Sequence, residues 1–160
     1  ADEAFIAYYC RGQAYHRKGE YLKAISDFDK AISLKKDYAD AFYDRGYAKD
    51  ALGNFEQAIA DYTQSLALRP DYADAYCNRG NAYYNLKQLD AALKDYNMAL
   101  HYNPQMPGVY SNRSIIHYLN KNYDAALQDI LKAHEMGHTA NQNLLNFLLK
   151  QKQESNNTAR

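Results

Sequence analysis

Apolar positions recur along this chain at offsets of three and four, the spacing that places side chains on one face of a helix. Tyr21, Ala24, Phe28 and Ala31 form one such stripe. The stripe returns 34 residues later as Phe55, Ala58, Tyr62 and Ser65, again as Leu89, Ala92, Tyr96 and Ala99, and again as Tyr123, Ala126, Ile130 and Ala133. A shorter stripe precedes each one: Tyr8, Phe42, Tyr76 and Tyr110 stand one helical turn before Gly12, Gly46, Gly80 and Ser114. Small residues at fixed places let a neighbouring backbone approach, so each period reads as two close-packed helices, and the chain as a stack of such pairs.

The pattern predicts helices near residues 5 to 18 and 21 to 34, 39 to 52 and 55 to 68, 73 to 86 and 89 to 102, and 107 to 120 and 123 to 136. Gly19 and Gly53 mark turns inside the first two pairs, and Pro70 and Pro104 follow helix ends, where proline cannot continue the helix. Pro107 suits a first helical turn. Leu144, Leu145, Phe147, Leu148 and Leu149 give one more apolar stretch. The expected division is therefore repeats at 5–38, 39–72, 73–106 and 107–140, a capping helix at 141–152 and a disordered tail at 153–160.

Composition narrows the function classes. The 160 residues carry 19 basic and 19 acidic side chains, so no net field draws the chain onto nucleic acid or an anionic membrane. Mean hydropathy is −0.71, and no apolar run reaches the roughly 18 residues of a membrane span. Residues 1 to 4 lack the regions of a signal peptide. The chain also lacks an initiator Met, which leaves open a trimmed fragment or an exported precursor. Cys10 and Cys77 sit two repeats apart, roughly 20 Å or more at the spacing of packed helices, beyond the reach of about 7 Å that a disulfide allows. Free thiols fit a reducing compartment, and the expected location is cytoplasmic.

A 34-residue unit with an aromatic, then Gly, then Tyr, then Ala, an aromatic, Ala and Pro resembles the tetratricopeptide repeat family. The runs Tyr76-Cys77-Asn78-Arg79-Gly80-Asn81-Ala82-Tyr83 and Leu66-Ala67-Leu68-Arg69-Pro70 carry the likeness. It covers residues 5 to 138, with Lys49 and His117 in place of the usual Tyr, Lys36 and His138 in place of Pro, and Ser114 in place of Gly. The resemblance implies an all-α, right-handed superhelical solenoid of antiparallel helix pairs. It also implies a non-catalytic protein-interaction module without cofactors, binding an extended peptide or a helix in a concave groove lined by the first helices.

Carried over position by position, the family's groove falls on Tyr9, Gln13, Tyr43, Asp44, Tyr47, Asp74, Asn78, Asn81, Tyr84, Asn112 and Tyr118, with Asp40, Asp50 and Asn85 alongside. Asn78, Asn112 and Asn146 keep the repeat step, and a carboxamide offers both donor and acceptor to a peptide backbone. The alternative is that Asn is polar filler. Asp40, Asp44, Asp50 and Asp74 would attract a basic segment, unless they are merely a solvated charged face. Tyrosines give rigid contact area with a polar tip. Members that grip chaperone tails place Lys where this chain has Cys77, and Lys and Arg where it has Gln142 and Asn146, so that specificity is not expected.

Three further readings remain. Arg11, Arg45, Arg79 and Arg113 each precede an aspartate, Asp27, Asp61, Asp95 and Asp129, by 16 residues, which predicts a structural ion pair in every repeat. His134-Glu135-Met136-Gly137-His138 spells H-E-x-x-H, a zinc metallopeptidase signature. Gly137 stands where helices of this array end, however, so the one-turn geometry is not expected, and no metal is assigned. The remaining alternative is a self-associating scaffold segment, a homo-oligomer joined through its end faces.

Overall fold

The computed structural model describes residues 3–139 and 141–158, with side chains as far as residue 154. Nine α-helices and no strand are present among the described residues: α1 Ala4–Arg17, α2 Tyr21–Leu34, α3 Ala39–Ala51, α4 Phe55–Leu68, α5 Ala73–Asn85, α6 Leu89–Tyr102, α7 Pro107–Leu119, α8 Tyr123–Glu135 and α9 Gln142–Thr158. The chain forms two compact units, Ala1–Tyr102 and Asn103–Arg160. The first holds three helix hairpins, α1–α2, α3–α4 and α5–α6, with α2 packed on α3 and α4 on α5. The second holds the hairpin α7–α8, with α9 against α8.

Hairpin packing follows from the small residues of the period. Ala24, Ala58, Ala92 and Ala126 are fully buried, as are Ala31, Ser65, Ala99 and Ala133. A Cβ on Gly12 would lie 2.7 Å from the Phe28 ring, and one on Gly80 would lie 2.8 Å from Tyr96. Ser114 takes this place in the last hairpin, where the partner is the smaller Ile130 and the hydroxyl is held by the Ser111 carbonyl at 2.7 Å. The turn inside each hairpin needs a left-handed residue. Gly19 and Gly53 supply it at φ +75° and +78°, and Lys87 and Lys121 hold the same repeat position at +62° and +61°.

The four arginine–aspartate pairs form inside the hairpins. In each, Nε and Nη2 donate to the two carboxylate oxygens, with Arg79–Asp95 at 2.7 and 2.8 Å and Arg113–Asp129 at 2.7 Å for both contacts. The aspartates Asp27, Asp61, Asp95 and Asp129 are 3 to 6% exposed. Two departures from the repeat pattern act on the same carboxylates: Lys49 Nζ lies 2.7 Å from Asp61, and His117 Nε2 lies 3.7 Å from Asp129. Arg45 also reaches back to Asp29 on α2, and Arg79 to Thr63 on α4, so these two arginines tie the second and third hairpins to the ones before them.

One expectation fails at the C-terminal end. The chain stays helical to Thr158 instead of becoming disordered from residue 153, and residues 159–160 of the expected tail lie outside the described residues. No Gly or Pro interrupts α9, its later residues include good helix formers, and Lys150 faces Glu154 one turn on at 3.9 Å. Leu145 and Leu148 of this helix bury themselves against Ala126, Leu127 and Ile130 of α8.

Candidate functional site

The first helices of the hairpins in the first unit, α1, α3 and α5, carry nine of the eleven residues expected in a groove. Repeat spacing alone sets this arrangement, because Tyr9 and Tyr43, like Asp44 and Asn78, occupy equivalent places on successive helices. Between α1 and α3, the Gln13 amide donates to Tyr9 Oη at 2.8 Å and to Asp44 Oδ2 at 3.2 Å. Burial, and then contact with Asp44, pushes the Tyr9 hydroxyl far up from its ordinary pKa, so it stays protonated. Burial also raises the Asp44 carboxyl, with the bonds from Tyr9 and Gln13 working against the shift.

Between α3 and α5, Asn78 Nδ2 donates to Tyr43 Oη at 2.8 Å. That leaves the second N–H of the amide and its carbonyl oxygen for other partners. Tyr43 packs on Tyr72 with ring centroids 4.6 Å apart, and Tyr9 packs on Tyr38 at 4.8 Å. Tyr38 and Tyr72 were not among the expected site residues. They hold one repeat position in the connections between hairpins, and the 34-residue step was the signal that could have found them. Burial pushes the Tyr72 hydroxyl up to about 12. Asn81 faces inward in part, since its carbonyl accepts from the buried Tyr96 hydroxyl at 2.8 Å. Tyr47 is 41% exposed and leans on His16 at 4.7 Å. Asp74 is exposed, and Tyr84 carries Lys87 over its ring at 5.5 Å.

The acidic residues of this face differ in their partners. Asp40 is paired with Arg69 at 3.0 Å, and Arg69 lies flat over Tyr72 at 3.3 Å. No ion pair reaches Asp44, Asp50 or Asp74 among the described residues. Asp50 is half-buried, and burial raises its carboxyl pKa. It opens on a cavity of about 420 Å3, with Tyr47, Ala51 and Phe55 on the same side and Asn78, Asn81 and Asn85 of α5 opposite. Cys77 is half-buried nearby, a neutral thiol because burial pushes it up to about 11; Cys10 is exposed, and both cysteines are free.

In the second unit, Asn112 is half-buried on α7. Tyr118 is half-buried, and its ring meets Tyr123 at 5.9 Å and Phe147 of α9 at 5.6 Å. Asn146 accepts from Gln142 at 3.0 Å. The H-E-x-x-H sequence is not on one helix. α8 ends at Glu135, Gly137 turns left-handed at φ +82°, and the His138 N–H closes the turn on the Ala133 carbonyl at 2.9 Å. His134 and His138 therefore lose the one-turn spacing that zinc would need, and the described residues contain no group of three or more metal-ligating side chains.

Family models described as "TPR repeat" match residues 12–50 and 51–87, and a "Tetratricopeptide repeat" model matches residues 73–106. Comparison with curated proteins finds no significant match. Among solved structures, a crystal structure of MamA superposes with a TM-score of 0.81 at 24% identity, covering 86% of this chain and 80% of that one. The first TPR of Spaghetti (RPAP3), bound to an HSP90 peptide SRMEEVD, gives 0.73 at 25% identity over 76% of this chain and 96% of that one. The Arabidopsis OM64 TPR domain gives 0.71 at 26% identity over 72% and 96%.

Proposed function

Taking as premise that the chain belongs to the tetratricopeptide repeat family, we propose that it is a non-catalytic module that binds an extended segment of a partner protein along the face built by α1, α3 and α5. The observation that carries this reading is the face itself. Asn78 keeps hydrogen-bonding capacity after its bond to Tyr43, Tyr47 is exposed beside it, and the cavity at Asp50 lies next to both. Backbone bonds from Asn78 would give affinity without reading sequence, and the tyrosines would add low-entropy contact area. The Spaghetti domain bound to a peptide is a relative of similar fold, which supports a peptide partner here.

That relative's peptide, SRMEEVD, is acidic. This chain would prefer the opposite charge, because Asp44 and Asp50 stand without cations and Cys77 is an uncharged thiol where chaperone-tail binders use lysine. The partner is thus a protein segment with basic residues, and the place of work is the cytoplasm. No helix among the described residues is long and apolar enough to cross a membrane.

The test is an affinity pull-down quantified by mass spectrometry, comparing the wild type with Asp44→Lys/Asn78→Ala after circular dichroism shows that both are folded. Loss of a partner set in the variant supports groove binding; an unchanged set refutes it. A second reading draws on the exposed face of α1. Ala7 and Ala14 are exposed there, whereas their repeat equivalents Ala41, Ala48, Ala75 and Ala82 are fully buried against a preceding helix. Stacking of another copy on this face would give a molar mass that rises with concentration in light scattering, without added ligand.

A further inference from the structure

We propose that the cavity between α3 and α5 is a subsite for one lysine or arginine side chain of the bound segment, with Asp50 as its counter-ion. The proposal rests on the groove-binding reading above and assigns one ligand chemistry to one place in it.

The carboxylates of the second and third hairpins are answered in different ways. Asp61 and Asp95 are held by Arg45 and Arg79, Asp40 by Arg69, and Asp44 by the neutral donors Tyr9 and Gln13. Asp50 has no ion pair among the described residues, yet it is half withdrawn from water. Beneath it lies the Tyr62 hydroxyl, on a side chain that is 0% exposed. That hydroxyl has no hydrogen-bond partner at good geometry among the described residues, and its strongest charged neighbour is Asp50. Asp50 therefore has the neutral Tyr62 hydroxyl beside it and no cation among the described residues, so its half-buried charge stays uncompensated in the free protein.

The walls fit the remainder of a basic side chain. Phe55, Ala51 and the ring of Tyr47 offer apolar surface to a methylene stem, and an aromatic face adds attraction for the cationic head. Asn85, exposed at the rim, supplies a carbonyl oxygen that can take a remaining N–H group. An anionic ligand group would instead meet Asp50 head on.

The acid also belongs to this junction alone and not to the repeat scaffold. The equivalents of Asp50 in the other repeats are His16, Tyr84 and Tyr118, none of them acidic. An acid that departs from its repeat, is half-buried and has no cation beside it among the described residues is placed for a ligand and not for the fold.

The experiment is selection of phage-displayed random dodecapeptides on the whole chain, followed by titration of synthetic versions in which each Lys or Arg is replaced in turn by norleucine. The expected result is one basic position whose replacement weakens wild-type binding by about tenfold or more, equivalent to about 1.4 kcal/mol. In Asp50→Asn that discrimination collapses to about twofold or less, and Asp50→Glu restores part of it. Selected peptides without a basic position, or a basic preference that survives Asp50→Asn, overturn the subsite. If such peptides still lose affinity on Asn78→Ala, the groove reading stands without it. Failure to select any peptide removes both.

Discussion

Replacing Arg79 with alanine tests whether the arginine row is structural. Its guanidinium donates to both oxygens of Asp95 and, through Nη1, to Thr63 Oγ1 at 3.0 Å. The side chains of Arg79 and Asp95 are 17% and 4% exposed, so water replaces the lost partner poorly. Breaking one side of a buried pair costs about 3–5 kcal/mol, because the remaining charge stays buried and uncompensated. The low end applies here, since Arg79 keeps one edge in water. At about 2–4 °C per kcal/mol for a chain of this size, Tm falls by about 6–12 °C.

The assay is thermal unfolding followed by circular dichroism at pH 7. Arg79→Met/Asp95→Leu removes both charges at similar volume and should recover most of the loss. A Tm for Arg79→Ala within about 2 °C of wild type would refute the reasoning, and a double variant no better than the single one would refute the orphaned-charge mechanism. Arg11→Ala serves as the internal comparison. Arg11 is 55% exposed, against 17% for Arg79, so its shift should be the smaller of the two.

Three other outcomes follow from the same geometry. Gly80→Ala should lower stability by about 1–2 kcal/mol in denaturant melts, the clash with the immobile Tyr96 ring outweighing alanine's better helix propensity; equal or higher stability would contradict the close approach. Burial lowers the His117 pKa from 6.5, so the unfolded chain binds the proton more readily. Stability should therefore fall as pH drops below 6.5, and His117→Tyr should flatten that part of the pH profile. Asp50 has the opposite sign for a carboxyl: its folded pKa is raised above 3.8, so the stability cost is fully present above the folded pKa and vanishes below 3.8. Asp50→Asn should accordingly melt higher than wild type at pH 7, with the difference fading as pH approaches 4; a lower melting point at pH 7 would contradict the uncompensated charge.

Periodicity made the helices legible because burial in a hairpin demands small and aromatic residues at fixed steps. Each helix of the four hairpins begins and ends within one residue of its expected bounds. The arginine–aspartate row was readable for the same reason, as was the failure of H-E-x-x-H, since Gly137 stands at a helix end. The α9 boundary was not legible: polar composition after Gln151 resembles disorder, but nothing in it breaks a helix. The site was read less completely. Spacing put Asp40, Asp44 and Asp50 on one face, but their fates differ through contacts that sequence does not encode locally. Arg69, at the end of α4, captures Asp40 within the same hairpin, Gln13 and Tyr9 close on Asp44, and Asp50 is left facing a cavity. Tyr118 was assigned to the groove by register, yet the position of Phe147, fixed by α9, draws it into an aromatic cluster.

The most direct test of groove binding is site-specific photo-crosslinking. A photoreactive phenylalanine analogue replaces Tyr47, a near match in shape and 41% exposed on the first-helix face, and, in a second protein, replaces Gln64, exposed on the second helix α4. Both are irradiated with the peptides selected on the wild type. The account predicts crosslinks at position 47 that excess unlabelled peptide suppresses, with position 64 at background. Equal labelling at both positions, or labelling at 64 alone, would contradict it.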